Sequence, residues 1–210
     1  MRAIMRTLIP LGVALIVMGG CGGPPLAATD PDRAGCGLFP PQGTSAYILP
    51  YEPGQSLLVG RTIEHGDPQR YAIDWYAPTN TAVAAARSGR VIAAESRWPD
   101  TDHTFGHENY VLVAHADGTV ARYFHLTEGG ASVFGGQPVA QGQRIGSSGN
   151  SGNSTAPHLH FDVVQTACVG AWPGDAFNLP CQSTVPIVFR NTRPHACGIQ
   201  TGETYLAGGF

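Results

Sequence analysis

Residues 154–164 read STAPHLHFDVV, and the two histidines one residue apart inside this apolar run decide how the chain is read. Side chains alternate between the two faces of a strand, so residues two apart share a face. His158, His160, Asp162 and Val164 then lie on one side, while Leu159, Phe161 and Val163 lie on the other, which reads as core. Two imidazoles on the polar side of a half-buried strand are either incidental neighbours or aimed at one common point. H-x-H alone does not choose between these.

Outward from that run, the rest of the chain is also strand-like. The 210 residues include 28 Gly and 17 Pro, a composition that disfavours long helices and favours short strands joined by turns. SLLVGRTI, YAIDWYAP, TAVAAA, GRVIAAES, NYVLVAHA, TVARYFHL and VPIVFR all read as strands. Asp117-Gly118, between two of them, signals a hairpin. The expected fold class is mostly β: a single domain on a small antiparallel sheet, with long loops and little helix. GQRIGSSGNSGNS, at 142–154, has neither Lys nor P-loop spacing and reads as a flexible loop beside a site.

The first twenty residues have the layout of a signal peptide, with Arg2 and Arg6 ahead of the apolar LIPLGVALIVMGG. Gly19 and Gly20 before Cys21 resemble the bacterial lipoprotein cleavage box. That resemblance implies a membrane anchor through a lipid on Cys21 and a location facing the cell envelope; an ordinary secretory signal is the alternative. Residues 21–45 read as a Gly/Pro-rich tether, 46–195 as the domain and 196–210 as a C-terminal tail. All twelve basic residues are Arg and the formal net charge is −3, so no basic patch for nucleic acid is expected. Export permits disulfides. Cys36, Cys168, Cys181 and Cys197 allow three connectivities, among which the sequence alone does not choose. The favoured one pairs Cys168 with Cys181, closing a short loop, and Cys36 with Cys197, tying the domain ends. No C-x-x-C pair is present, which argues against a four-thiolate zinc site.

A metal at the H-x-H would need further ligands. Imidazole nitrogen and carboxylate oxygen suit Zn²⁺, and catalytic zinc keeps three protein ligands plus water. Asp74 projects away from the apolar side carried by Ile73 and Trp75. Asp is depleted in strands, so Asp74 is either a solvated face residue or a ligand. His65 is the only histidine upstream of it. His125 shares a strand face with Tyr123. His115 competes with His125 for a role but sits beside the Asp-Gly turn and reads as structural. His103 and His107 lie in a polar loop at the groove rim, and His195 reads as exposed. HENYV, at 107–111, starts like H-E-x-x-H but ends in Val111, so that zinc motif fails.

Taken together, HGDPQRYAIDW, RYFHL and PHLHFDV, in this order, resemble the M23 family of zinc metallopeptidases, the lysostaphin-type peptidoglycan endopeptidases. The resemblance covers about residues 62–165. It implies one zinc ion in a groove on one face of the sheet, with His65, Asp74 and His160 as ligands. It also implies His125 and His158 as catalytic residues that do not hold the metal. The chain departs from the compact family pattern, which has three residues between the first His and the Asp. Here eight intervene, Gly66 to Ile73, which reads as a loop insertion, and Ala156 stands where a Gly is usual. The activity implied is zinc-dependent hydrolysis of peptide cross-links or stem peptides of peptidoglycan, by a monomer. A non-catalytic peptidoglycan-binding or hydrolase-activating module, and a secreted peptidase acting on Gly-rich proteins, are the alternatives.

Overall fold

The computed structural model describes residues 36–165 and 183–209. Eleven strands and three short 3-10 turns, at Cys36–Leu38, Gln42–Thr44 and Ile63–His65, make up its regular structure. No α-helix occurs among the described residues, and none of their helices is long and apolar enough to cross a membrane. The strands are β1 Ser56–Arg61, β2 Ile73–Tyr76, β3 Ala82–Ala84, β4 Gly89–Glu95, β5 Tyr110–Ala114 and β6 Thr119–Phe124. They continue as β7 Leu126–Ala131, β8 Pro138–Val139, β9 Arg144–Ser148, β10 Leu159–Gln165 and β11 Thr204–Leu206. Every strand pair is antiparallel. One sheet has eight strands in the order β11-β1-β2-β10-β6-β5-β4-β8, and a second has three, β3-β9-β7. The chain is mostly β as expected, on a larger main sheet than the small one read from the sequence.

β10 sits mid-sheet between β2 and β6. Its alternation sorts the two faces as the H-x-H run implied. Leu159, Phe161 and Val163 enter the main core with Ile73, Trp75, Val111, Ala121 and Tyr123. A smaller apolar cluster of Leu112, Val120, Phe124 and Val164 lies on the other face. The Asp-Gly hairpin forms as expected: His115 N–H donates to the Thr119 carbonyl at 2.8 Å, closing β5 onto β6.

Four sequence expectations are corrected. The supposed tail carries β11, which pairs with β1, and its Tyr205 is buried against Trp75. The edge strand needs that partner, so the domain runs past residue 195. His195 is buried, not exposed: its Nδ1–H donates to the Arg193 carbonyl at 2.8 Å and its Nε2 accepts from Phe189 N–H at 2.9 Å. VPIVFR makes only an isolated bridge at Phe189, although Ile187, Val188 and Phe189 are buried. The stretch 142–154 contains β9, and the serines after it are held by hydrogen bonds rather than free. Its glycines answer to crowding: a Cβ on Gly149 would stand 2.4 Å from the Thr127 backbone, and one on Gly152 (φ +73°) 2.3 Å from Glu108 Cγ. Cys197 is disulfide-bonded. Residues 1–35 and the Cys168 and Cys181 pair lie outside the described residues.

Candidate metal centre

Strand register builds the site. Residues directly opposite each other in an antiparallel pair share a face, with Cβ atoms about 4.5–5.5 Å apart. Arg61 faces Asp74, Asp74 faces His160, and His160 faces Phe124. A single row of side chains therefore crosses β1, β2, β10 and β6 on the face opposite the main core. His65 joins it from the 3-10 turn after β1. The eight intervening residues loop out and back, so the insertion leaves the His65 and Asp74 side chains adjacent.

One ligand atom from each of His65, Asp74 and His160 lies within 4.8 Å of the other two. His65 Nε2 is 3.1 Å from Asp74 Oδ2, and His160 Nδ1 is 2.9 Å from Asp74 Oδ1. The His158 ring is next to them, with Nε2 3.7 Å from Asp74 Oδ1. His125 completes the cluster, its ring centroid 4.5 Å from that of His158 and 6.1 Å from that of His160. The structure thus brings all five sequence-predicted residues into one groove of about 370 Å³.

The second nitrogen of each ring is committed to an acceptor. His65 Nδ1–H donates to the Thr62 carbonyl at 2.7 Å, His125 Nδ1–H to Ser151 at 2.8 Å and His158 Nδ1–H to Ala156 at 2.9 Å. His160 is turned the other way: its Nε2–H donates to Asp162 Oδ2 at 3.2 Å. A carbonyl can only accept, so these bonds fix the tautomers of His125 and His158, whereas His65 and His160 meet Asp74 oxygens with their other nitrogens as well. His125 and His158 then present an Nε2 lone pair to the groove, the orientation a base requires. His65 and His160, turned to Asp74, are anchored from behind as metal-ligating imidazoles are.

Charge is arranged to match. Burial works against ionising Asp74, but hydrogen bonds from His160 and His65 outweigh it and hold its carboxyl well below the usual range. Burial pushes His125 down to about 3, helped by the neighbouring His158 and His160. Burial lowers His158 as well, with Asp74 opposing. Burial also opposes charge on His160, yet the Asp162 and Asp74 carboxylates raise it to about 9. Two imidazoles at this site are kept neutral, and two carboxylates stay ionised beside the third.

Several supporting residues escaped sequence reading. Arg122 holds Asp162 through two 2.6 Å bonds, and both are fully buried. This pair locks the carboxylate that orients His160. Asp162 was legible as a face-mate of His160, but nothing in the sequence pairs it with Arg122, forty residues away. Asn109 and Ser151 brace His125. The Ser151 hydroxyl donates to the Leu126 carbonyl at 2.8 Å and accepts Asn109 N–H at 3.0 Å, while Asn109 Nδ2 reaches the Trp98 carbonyl at 2.7 Å. That bracing holds His125 at φ +61°, a left-handed conformation uncommon for a residue with a side chain. Among the rim candidates, His107 stacks on Trp98 at 3.6 Å and bonds Asp102 at 2.8 Å, away from the cluster. His115 is structural, with Nδ1–H donating to the Ser88 carbonyl at 2.9 Å.

Comparison with known proteins gives the geometry a context. Residues 68–170 match the family described as Peptidase family M23. The chain is 36% identical over 115 residues to the peptidoglycan DD-endopeptidase ShyA of Vibrio cholerae, covering 54% of this chain and 24% of that one. It is 37% identical over 92 residues to lysostaphin of Staphylococcus simulans, covering 43% of this chain and 17% of that one. The chain thus spans a quarter or less of the length of these relatives. The crystallised catalytic domain of lysostaphin from Staphylococcus simulans superposes with a TM-score of 0.42 at 26% identity, covering 65% of this chain and 88% of that one.

Proposed function

From a chain that belongs to Peptidase family M23 through residues 68–170, we propose a zinc-dependent endopeptidase that hydrolyses peptide cross-links or stem peptides of bacterial peptidoglycan. The observation that carries this reading is the convergence of His65, Asp74 and His160 with two further imidazoles beside them. The donor set suits zinc: two imidazole nitrogens and one carboxylate oxygen, each second nitrogen anchored. Zinc bound there supplies a Lewis acid for the scissile carbonyl and brings the pKa of bound water toward about 7.

The remaining chemistry falls to His125 and His158. Each keeps Nε2 unprotonated, because Nδ1–H is spent on a carbonyl. No Glu of a zincin motif is available to take a proton from the attacking water, so this pair accepts it. Once protonated, an imidazolium donates to the oxyanion and then to the leaving amine. Asp74, 3.7 Å from His158 Nε2, favours the charged form there.

Names of relatives support the substrate: one is a peptidoglycan DD-endopeptidase and another a glycyl-glycine endopeptidase. The same proposal includes export, a lipid on Cys21, residues 21–45 as tether, a monomeric domain and the pairs Cys36–Cys197 and Cys168–Cys181. Digestion of purified sacculi by the zinc-loaded protein, with mass spectrometry of the released peptides, tests it. New termini at one defined peptide bond are expected. Intact sacculi from a protein that binds no zinc would refute it.

A further inference from the structure

We propose that Arg61 is an anion subsite of this groove, selecting peptides that carry a free carboxylate beside the scissile bond. The inference deepens the endopeptidase reading and rests on it. Three observations converge. First, a bulge between Val59 and Arg61 sets the pairing Val59 to Trp75 and then Arg61 to Asp74. Unbulged pairing would have set Gly60 opposite Asp74 and turned Arg61 toward the core face with Ile73. One inserted residue therefore re-aims the guanidinium onto the metal-ligand row. Second, of the nine described arginines, the other eight each hold a carboxylate, a carbonyl or a side-chain oxygen. The Arg61 guanidinium alone among the described residues has no hydrogen bond or ion pair. Third, Arg61, Asp74 and His158 line both the main groove and an adjoining recess of about 220 Å³. An extended peptide running from one into the other passes Arg61 next to the reacting centre.

A fixed cation beside a site built for a dication is electrostatically unfavourable while the groove is empty. A carboxylate lying between the two cations reverses that sign, and guanidinium is suited to hold it through paired N–H donors. The ligand class follows. In a cross-link made through the side-chain amine of a diamino dicarboxylic acid, the carbon that bears that amine keeps a free carboxylate next to the scissile bond. An oligoglycine bridge has no such group.

The test uses the full chain loaded with zinc and two synthetic cross-linked peptides, identical except that the diamino acid carries a carboxylate in one and a carboxamide in the other. The readout is the ratio of kcat/KM for the two, in the native protein and in Arg61→Gln and Arg61→Lys. A charge-assisted contact predicts a native ratio of about tenfold or more. The ratio should fall toward one in Arg61→Gln and sit between in Arg61→Lys. A native ratio near one, or an unchanged ratio in Arg61→Gln, overturns the proposal. Calorimetric binding of uncleavable versions of both peptides is read in parallel. If neither peptide is cut, the endopeptidase reading fails, and the binding ratio still decides whether Arg61 selects the carboxylate.

Discussion

The two faces of β10 contrast residue by residue. Leu159, Phe161 and Val163 are held by apolar contact, which is not directional and depends on volume. His158, His160 and Asp162 are held by directional hydrogen bonds to particular partners: the Ala156 carbonyl for His158, Asp74 and Asp162 for His160, and Arg122 for Asp162. The strand has one backbone, but its apolar side sets whether the domain folds and its polar side sets what the domain can hold. Substitutions on the first face should change stability before chemistry. Those on the second should change chemistry at modest cost in stability.

The largest effect expected is on the ligand row. His160→Ala or Asp74→Ala should bring bound zinc from about one per chain to near zero and abolish peptidoglycan hydrolysis, since catalytic sites keep only three protein ligands. Metal analysis and sacculus digestion check this. Next comes His125→Ala, which should retain zinc while lowering kcat by about 10²–10⁴-fold, the usual contribution of a positioned acid–base group. Release of zinc by that variant would break the division between holding the metal and moving the proton.

Phe161→Ala tests the opposite face. It opens a cavity in the core and should cost about 3–5 kcal/mol in denaturant unfolding, with zinc stoichiometry unchanged in the folded fraction. Asp162→Asn crosses between the two kinds of effect. It removes the negative charge that Arg122 and His160 share and loosens the anchor on His160. Zinc affinity should fall by about 10–100-fold, together with a loss of a few kcal/mol in stability. Competition with a chelator and thermal melting separate the two.

The smallest effect concerns histidines away from the groove. Burial lowers the pKa of His115, with Arg87 adding to it and the Ser88 carbonyl opposing; burial likewise lowers that of His195. Below the ordinary value of about 6.5 the unfolded chain takes up protons before the folded one, so stability falls as pH drops through that point. Acidification from pH 7 to 5.5 should therefore lower Tm by about 2–4 °C. His115→Gln should flatten the response, as melting curves at several pH values will show.

Much of the site was legible because it is written in local pattern. The alternation of HLHFDVV separated polar from apolar face, and Ile73-Asp74-Trp75 did the same for a second strand. The Asp-Gly turn marked a hairpin by its backbone requirement alone. Other features depend on which distant segments meet. The serine- and glycine-rich stretch at 142–154 looked loose because small polar residues suit mobile loops. In the folded chain Gly149 and Gly152 have no room for a side chain, because Thr127 and Glu108 press against them. The last residues looked uninformative because a three-residue edge strand has no periodicity to read, and only its pairing with β1 makes it part of the sheet.

By itself, the sequence determined the strand class, the two-faced character of the central strand and the residue types able to hold a metal, since these follow from side-chain alternation and donor chemistry. The tertiary structure alone decided the row that runs from Arg61 through Asp74 and His160, the Arg122–Asp162 brace beneath it and the left-handed seat of His125. Each of these needs a register between strands or a contact across dozens of residues. Register is set by the summed fit of whole strands, which no short stretch of sequence contains.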